Sequence, residues 1–212
     1  MPREPKLAVI AGPNGSGKTT LTRFLHARGV EFGEYINPDD IAASLQGSYD
    51  ERVRAAQQIA DARREDCILS GRDFAFETVM SHPSKIEIMR RARAAGFYVT
   101  LYFVGTEDPR INIARVGVRV QSGGHSVPKD LIFARFHRTM NALPEAISVA
   151  NKTFVFDNSR AGAKVGPRLI FEFCQEPGKN TAPIYLRERL VYLRLITNLA
   201  SVPDWMHTYL SK

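Results

Sequence analysis

The chain has 212 residues, of which 44% are hydrophobic and 24% charged, and it carries a formal net charge of +7. That balance supplies an apolar core and excludes a charge-dominated disordered chain, while two cysteines, Cys67 and Cys174, with no C-x-x-C or clustered Cys/His spacing, exclude a disulfide scaffold and a zinc site. The apolar run ahead of Gly12 is too short for a signal peptide and no segment approaches the roughly 18 apolar residues of a membrane span, so a cytoplasmic protein is expected.

In chain order, residues 7–11 read as a buried strand of continuous apolar character, followed by a glycine-rich turn and a helix over 18–28. A short strand over 34–37 leads into a helix start at Asn37-Pro38-Asp39-Asp40, and a longer helix covers 50–69. A strand over 72–77, a helix over 84–95, a strand over 98–104 and a helix over 109–121 come next. After Gly123-Gly124 the helical pattern resumes over 128–149, ahead of a strand over 153–156. Strands that alternate with helices predict an α/β fold: an open parallel five-stranded sheet covered by helices on both faces, with a small lid. Beyond Asn158, residues 168–174 are expected to form a further strand at the sheet edge and 183–199 a final amphipathic helix. No repeat or linker marks a boundary, so one domain over 1–212 is expected, with a core over about 6–160 and a C-terminal extension over about 161–212.

Gly12-Pro13-Asn14-Gly15-Ser16-Gly17-Lys18-Thr19 matches G-x-x-x-x-G-K-[ST], and it stands where that pattern has physical meaning, after a buried strand and at the opening of a helix. The glycines let successive backbone N–H groups turn toward phosphate oxygens, and the helix N-terminus adds positive potential. Lys18 is expected to reach the β- and γ-phosphates and the Thr19 hydroxyl, beside Thr20, to take one position on Mg²⁺. The Asn-Lys pair at 151–152 continues into Thr153-Phe154 without the aspartate of a guanine-reading motif, which favours ATP over GTP.

In an open α/β sheet ligands sit beyond the carboxyl ends of the strands. Asp39 and Asp40 follow the second strand. They complete a well-formed helix start, and a carboxylate there is also placed to take the proton of an attacking hydroxyl. Glu77 ends the third strand, either as an exposed tip or as a ligand to substrate or to metal-bound water. Arg115 and Arg119, spaced i, i+4, share one helix face before the glycine pair and read as lid cations for the γ-phosphate or as a solvated face, with Arg135 and Arg138 on the next helix available to the same cluster. His125 reads as a polar lid residue.

These pieces together resemble the zeta-toxin-like P-loop kinases: Ala11 to Thr20, Ile36-Asn37-Pro38-Asp39, Phe76-Glu77-Thr78-Val79, Arg115-Val116 to Arg119-Val120 with Gly123 to Pro128, and Phe156-Asp157-Asn158-Ser159, in that order. The resemblance implies a nucleoside-monophosphate-kinase-like sheet and a kinase that uses ATP and Mg²⁺. It implies Asp39 as the hydroxyl-activating acid, Glu77 with Thr78 on the substrate side, and Arg115 as an arginine that grips the phosphates. Asp157 and Asn158 fall where related kinases hold adenine. Toxins of that family phosphorylate a sugar hydroxyl of UDP-N-acetylglucosamine and are held inactive by an antitoxin, so a small-molecule acceptor and an antitoxin partner are implied. Where those toxins carry a second phosphate-gripping arginine this chain has His125, which leaves Arg119 or Arg135 to substitute. A nucleoside, an antibiotic or a polynucleotide end is the alternative acceptor, and a nucleotide-dependent regulator the alternative class. The convergence of Lys18, Arg115 and Arg119 on one anionic ligand disfavours nucleic acid as the reason for the charge surplus.

Overall fold

A computed structural model describes residues 3–123, 126–160, 166–186, 189–197 and 202–210. The first strand, β1 (Lys6–Ala11), explains the layering. Leu7, Val9 and Ala11 point into one apolar cluster and Ile10 into a second on the opposite face, so a strand covered on both sides has to be apolar almost throughout. Around it run α1 (Lys18–His26), β2 (Glu34–Ile36), α2 (Pro38–Ser44), α3 (Tyr49–Ser70), β3 (Phe74–Thr78), α4 (Ser84–Ala94), β4 (Tyr98–Gly105), α5 (Pro109–Gln121), α6 (Lys129–Val149) and β5 (Lys152–Asp157). β1 pairs in parallel with β3 on one side and β4 on the other, β2 extends the sheet beyond β3, and β5 beyond β4. The chain thus leaves β1 in both directions, and the crevice over that reversal is where an open sheet receives its ligand.

Helix starts follow local chemistry. Asn37 caps α2 by accepting from the Asp39 backbone N–H at 3.1 Å, with Pro38 in the first turn. Ser48 and Glu51 form a reciprocal capping box that opens α3.

The expected five-stranded parallel sheet is corrected to an eight-stranded mixed one, in the order β2-β3-β1-β4-β5-β6-β8-β7. β6 (Arg168–Cys174) lies antiparallel to β5, as an interior strand and not at an edge, and β8 (Arg189–Leu195) and β7 (Ala182–Leu186) complete the sheet. Among the described residues, the helix expected over 183–199 is therefore a pair of strands. Its apolar residues follow a period of two: Leu186 and Val191 are buried and Ile184, Leu193 and Leu195 pack on the core, while Tyr185 between them is exposed and Arg194 turns away to pair with Glu172.

A last helix, α7 (Asp204–Leu210), had no counterpart in the sequence reading. Trp205 explains its position: the indole packs over Gly105 at the end of β4, where a Cβ would come within 2.8 Å of the ring, and its Nε1–H donates to Asp157 Oδ1 at 3.0 Å. Ile170, Phe171, Phe173, Trp205 and Met206 belong to the same buried cluster as Leu7 and Phe103, so the core continues past residue 160.

Candidate active site

The loop between β1 and α1 holds its shape through two asparagines that come from far along the chain. Gly15 has φ +75°, and a Cβ there would lie 2.6 Å from the Asn112 carbonyl oxygen; Gly17 has φ +101°, and a Cβ would lie 2.4 Å from Asn158 Nδ2. Both positions demand glycine for backbone conformation and for closeness. Asn112, fully buried on α5, donates from Nδ2 to the Asn14 carbonyl at 2.6 Å and accepts from the Thr106 hydroxyl. Asn158 Nδ2 donates to the Ser16 carbonyl at 2.8 Å.

Lys18 folds back over this loop and donates from Nζ to the carbonyls of Gly12 (2.9 Å) and Pro13 (3.1 Å). Burial pushes its pKa down to about 8, against the pull of Glu77 and Asp39 and with the repulsion of Arg119. Those influences place two carboxylates and a second cation around the lysine. Glu77, half-buried at the end of β3, accepts at a single oxygen, Oε1, from the Thr22 hydroxyl at 2.8 Å and the Tyr35 hydroxyl at 2.6 Å.

A cavity of about 800 Å³ opens over the loop. Asn14, Gly15, Gly17, Lys18, Thr19 and Thr20 line its floor, Asp39, Glu77 and Thr78 one wall, and Arg115, Arg119 and Arg135 another, with Asn158 at the rim. Arg115 Nη1 and Asn14 Oδ1 are buried there without a hydrogen-bond partner among the described residues. Desolvation lowers the pKa of Arg115, with Asp157 opposing it. Gly12, Pro13 and Ser16 shape the loop from behind and do not line the cavity.

Other candidates are engaged within the fold or lie outside the cavity. Asp157 is buried away from the cavity, with its carboxylate held by Trp205, by Ser159 and by Arg168 at 3.9 Å. Thr78 uses its hydroxyl to accept from the Met80 backbone N–H at 2.9 Å, closing a turn in which Met80 takes φ +57°. Asp40 and Arg138 are exposed outside the cavity lining, and His125 lies outside the described residues. Sequence reasoning passed over Asn112, Tyr35 and Thr22. A polar residue on the face that α5 buries was a visible signal for the first; the other two are ordinary strand and helix residues until β2, β3 and α1 are brought together.

The Zeta toxin family model matches residues 1–164. An uncharacterized protein of Haemophilus influenzae is 34% identical over 137 residues, which cover 62% of this chain and 92% of that protein. Among solved structures, the AvrRxo1-ORF1:-ORF2 complex with ATP superposes with a TM-score of 0.62 at 16% identity, covering 80% of this chain and 58% of that one. The PezAT chromosomal toxin-antitoxin system of Streptococcus pneumoniae gives 0.57 at 15% identity, covering 76% and 71%. The chain thus spans little more than half the length of the first of these neighbours, and at such identities the likeness is one of fold.

Proposed function

Because the chain belongs to the zeta toxin family, we propose that it is an ATP-dependent kinase that transfers the γ-phosphoryl group to a hydroxyl of a small molecule. The observation that carries this reading is the convergence of Lys18, Asp39 and Glu77 on one cavity, a phosphate-holding cation facing two carboxylates. A nucleotide switch needs no carboxylate for an acceptor; a kinase does.

The loop fits a nucleotide. Its glycine cradle has no space for side chains, Lys18 now satisfies itself on loop carbonyls that phosphate oxygens would replace, and Arg115 and Asn14, each with a buried polar atom that has no partner among the described residues, line the same space. ATP bound to a fold neighbour supports the same assignment. Thr19 and Glu77 both line the cavity and would hold Mg²⁺, which when bound would neutralise charge on the β- and γ-phosphates. Asp39 accepts the proton of the acceptor hydroxyl as its oxygen bonds to the γ-phosphorus, the bond from that phosphorus to the β,γ-bridging oxygen breaks, and ADP leaves. Lys18, Arg115 and Arg119 stabilise the charge that gathers on the transferring group. Glu77, whose Oε1 is fixed by Tyr35 and Thr22, lines the cavity.

UDP-N-acetylglucosamine is the leading acceptor, cytoplasm the expected location and an antitoxin the expected protein partner; the PezAT system, a toxin-antitoxin pair of similar fold, supports the last. No helix among the described residues is long and apolar enough to cross a membrane. The test is label transfer from γ-labelled ATP to UDP-N-acetylglucosamine, nucleosides and oligonucleotides. One acceptor is expected to take label, with a loss of about 10²- to 10⁴-fold in Asp39→Ala. Absence of any labelled acceptor together with unchanged ATP turnover in Asp39→Ala would sink the kinase reading.

A further inference from the structure

Two cations on the α3–α4 side of the cavity have no part in the chemistry above. Arg64, on α3, is only 2% exposed. Its Nη2 donates to Asp61 Oδ1 at 2.5 Å, a carboxylate one turn earlier that is itself mostly in solvent, and its guanidinium carbon lies 5.2 Å from the centre of the Phe76 ring. The Nε–H is buried with no acceptor among the described residues. A guanidinium N–H left unpaired out of water is costly and uncommon in folded proteins.

Lys85 reaches the same place from the first turn of α4. Desolvation and repulsion from Arg64 both lower its pKa, and Asp61 only partly opposes them. Two cations therefore share one exposed carboxylate, and the cluster lacks a negative charge. Arg64 and Lys85 also line a smaller groove of about 350 Å³ between α3 and α4, so they stand at the junction of the two spaces. The other acids of that groove already have partners, Glu65 in Arg91, which lines the groove as well, and Glu87 in Arg90.

We infer that Arg64 and Lys85 bind an oxyanion, phosphate or carboxylate, carried by the acceptor, so that the enzyme selects molecules bearing such a group beyond the hydroxyl that Asp39 activates. The identity of the molecule rests on the kinase reading; the binding of the oxyanion does not. The charge would satisfy the Arg64 Nε–H and relieve the repulsion between the two cations, and a neutral acceptor would leave both as they are.

Inorganic phosphate is the first probe, titrated calorimetrically into the full chain saturated with Mg²⁺ and a non-hydrolysable ATP analogue, which fills the P-loop. Binding at one site is expected, weakened tenfold or more in Lys85→Gln and Arg64→Gln with the affinity for the analogue unchanged. Lys85 is half-buried, so its variant keeps the test decisive if the buried Arg64 does not tolerate replacement. If the analogue itself does not bind, the kinase reading fails, and the comparison of wild type with Lys85→Gln in phosphate alone still reads the anion site. No phosphate binding, or equal affinity in Lys85→Gln, overturns the inference.

Matched acceptors then distinguish the sources: N-acetylglucosamine against its 1-phosphate, and glycerol against glycerate. The expected result is a KM at least tenfold lower for a charged member, raised by Lys85→Gln at nearly constant kcat. Equal use of neutral and charged members overturns the selectivity. Phosphate binding that depends on Lys85 without label transfer to any acceptor removes the kinase reading and leaves the anion site.

Discussion

The Tyr35 hydroxyl donates to Glu77 Oε1 across 2.6 Å, joining the short edge strand β2 to the end of β3 at the wall of the cavity. Burial, then the hydrogen bond to Glu77, raise the phenol's pKa well beyond its usual range, so it remains a donor wherever the protein is folded. Thr22, from α1, donates to the same oxygen. Three elements thus fix one carboxylate.

Tyr35→Phe removes one of those two donors. The expected cost in stability is about 1 kcal/mol, read from urea unfolding. A fall of roughly 10-fold in kcat is expected from a less well oriented Glu77. Unchanged kcat alongside the stability loss would reduce Tyr35 to a packing role.

Lys18 has its pKa brought down to about 8 from 10.5 by burial, so on the proposed reading nucleotide affinity is expected to depend on pH. Below pH 8 the ammonium is already charged in the free protein. Above it, binding must take up a proton, so affinity for an ATP analogue should fall by up to tenfold per pH unit. Titrations between about pH 7 and 9.5 test this, and Lys18→Arg should flatten the curve. Stability moves the other way: the unfolded chain holds this proton up to about pH 10.5 and the folded one releases it near 8, so the lysine's contribution becomes more favourable as pH rises between those values.

Asn112→Asp keeps the shape of the side chain and replaces the donor facing the Asn14 carbonyl by oxygen. Two acceptors then meet where a 2.6 Å hydrogen bond stood. A loss of about 1–3 kcal/mol is expected. A weaker ATP analogue complex should accompany it, because the loop loses its tie to α5. Equal affinity in the variant would show that Asn158 and Lys18 suffice to hold the loop.

Trp205→Ala should destabilise by about 3–5 kcal/mol through loss of a large buried side chain. It also removes a donor from the buried Asp157 carboxylate. Truncation after residue 160 is expected to unfold the chain, since the β5 edge and the Phe103 side of the core would face water. Circular dichroism and thermal unfolding decide both.

The parallel half of the sheet was legible because its signals are local: a continuous apolar strand, the glycine loop, the Asn37-Pro38 cap and the apolar stripe of α6 each fix their own element. Residues 183–199 misled because a run with Tyr, Leu and Arg at close spacing suits either period, and only pairing with β6 selects two. At the site, Lys18, Thr19, Asp39 and Arg115, which motif and spacing single out, line one cavity. The bracing by Asn112 and Asn158 joins positions 98 and 142 residues apart, which no local pattern encodes. Asp157 shows the converse. Its place at the end of β5 suggested a nucleotide contact, and its carboxylate is taken up by Trp205, a residue of the one helix that local signals did not announce.

The pairing of β1 orders events during synthesis. β1 is made first, yet its two neighbours are β3, which begins at Phe74, and β4, which ends at Gly105. Until the ribosome has released about a hundred residues the glycine loop has no sheet to spring from, and its brace at Asn158 arrives later still. At roughly 5–20 residues per second, several seconds separate translation of the phosphate-binding motif from its assembly. The glycine loop therefore takes its braced shape only after Asn158 has been made, well after its own residues have emerged.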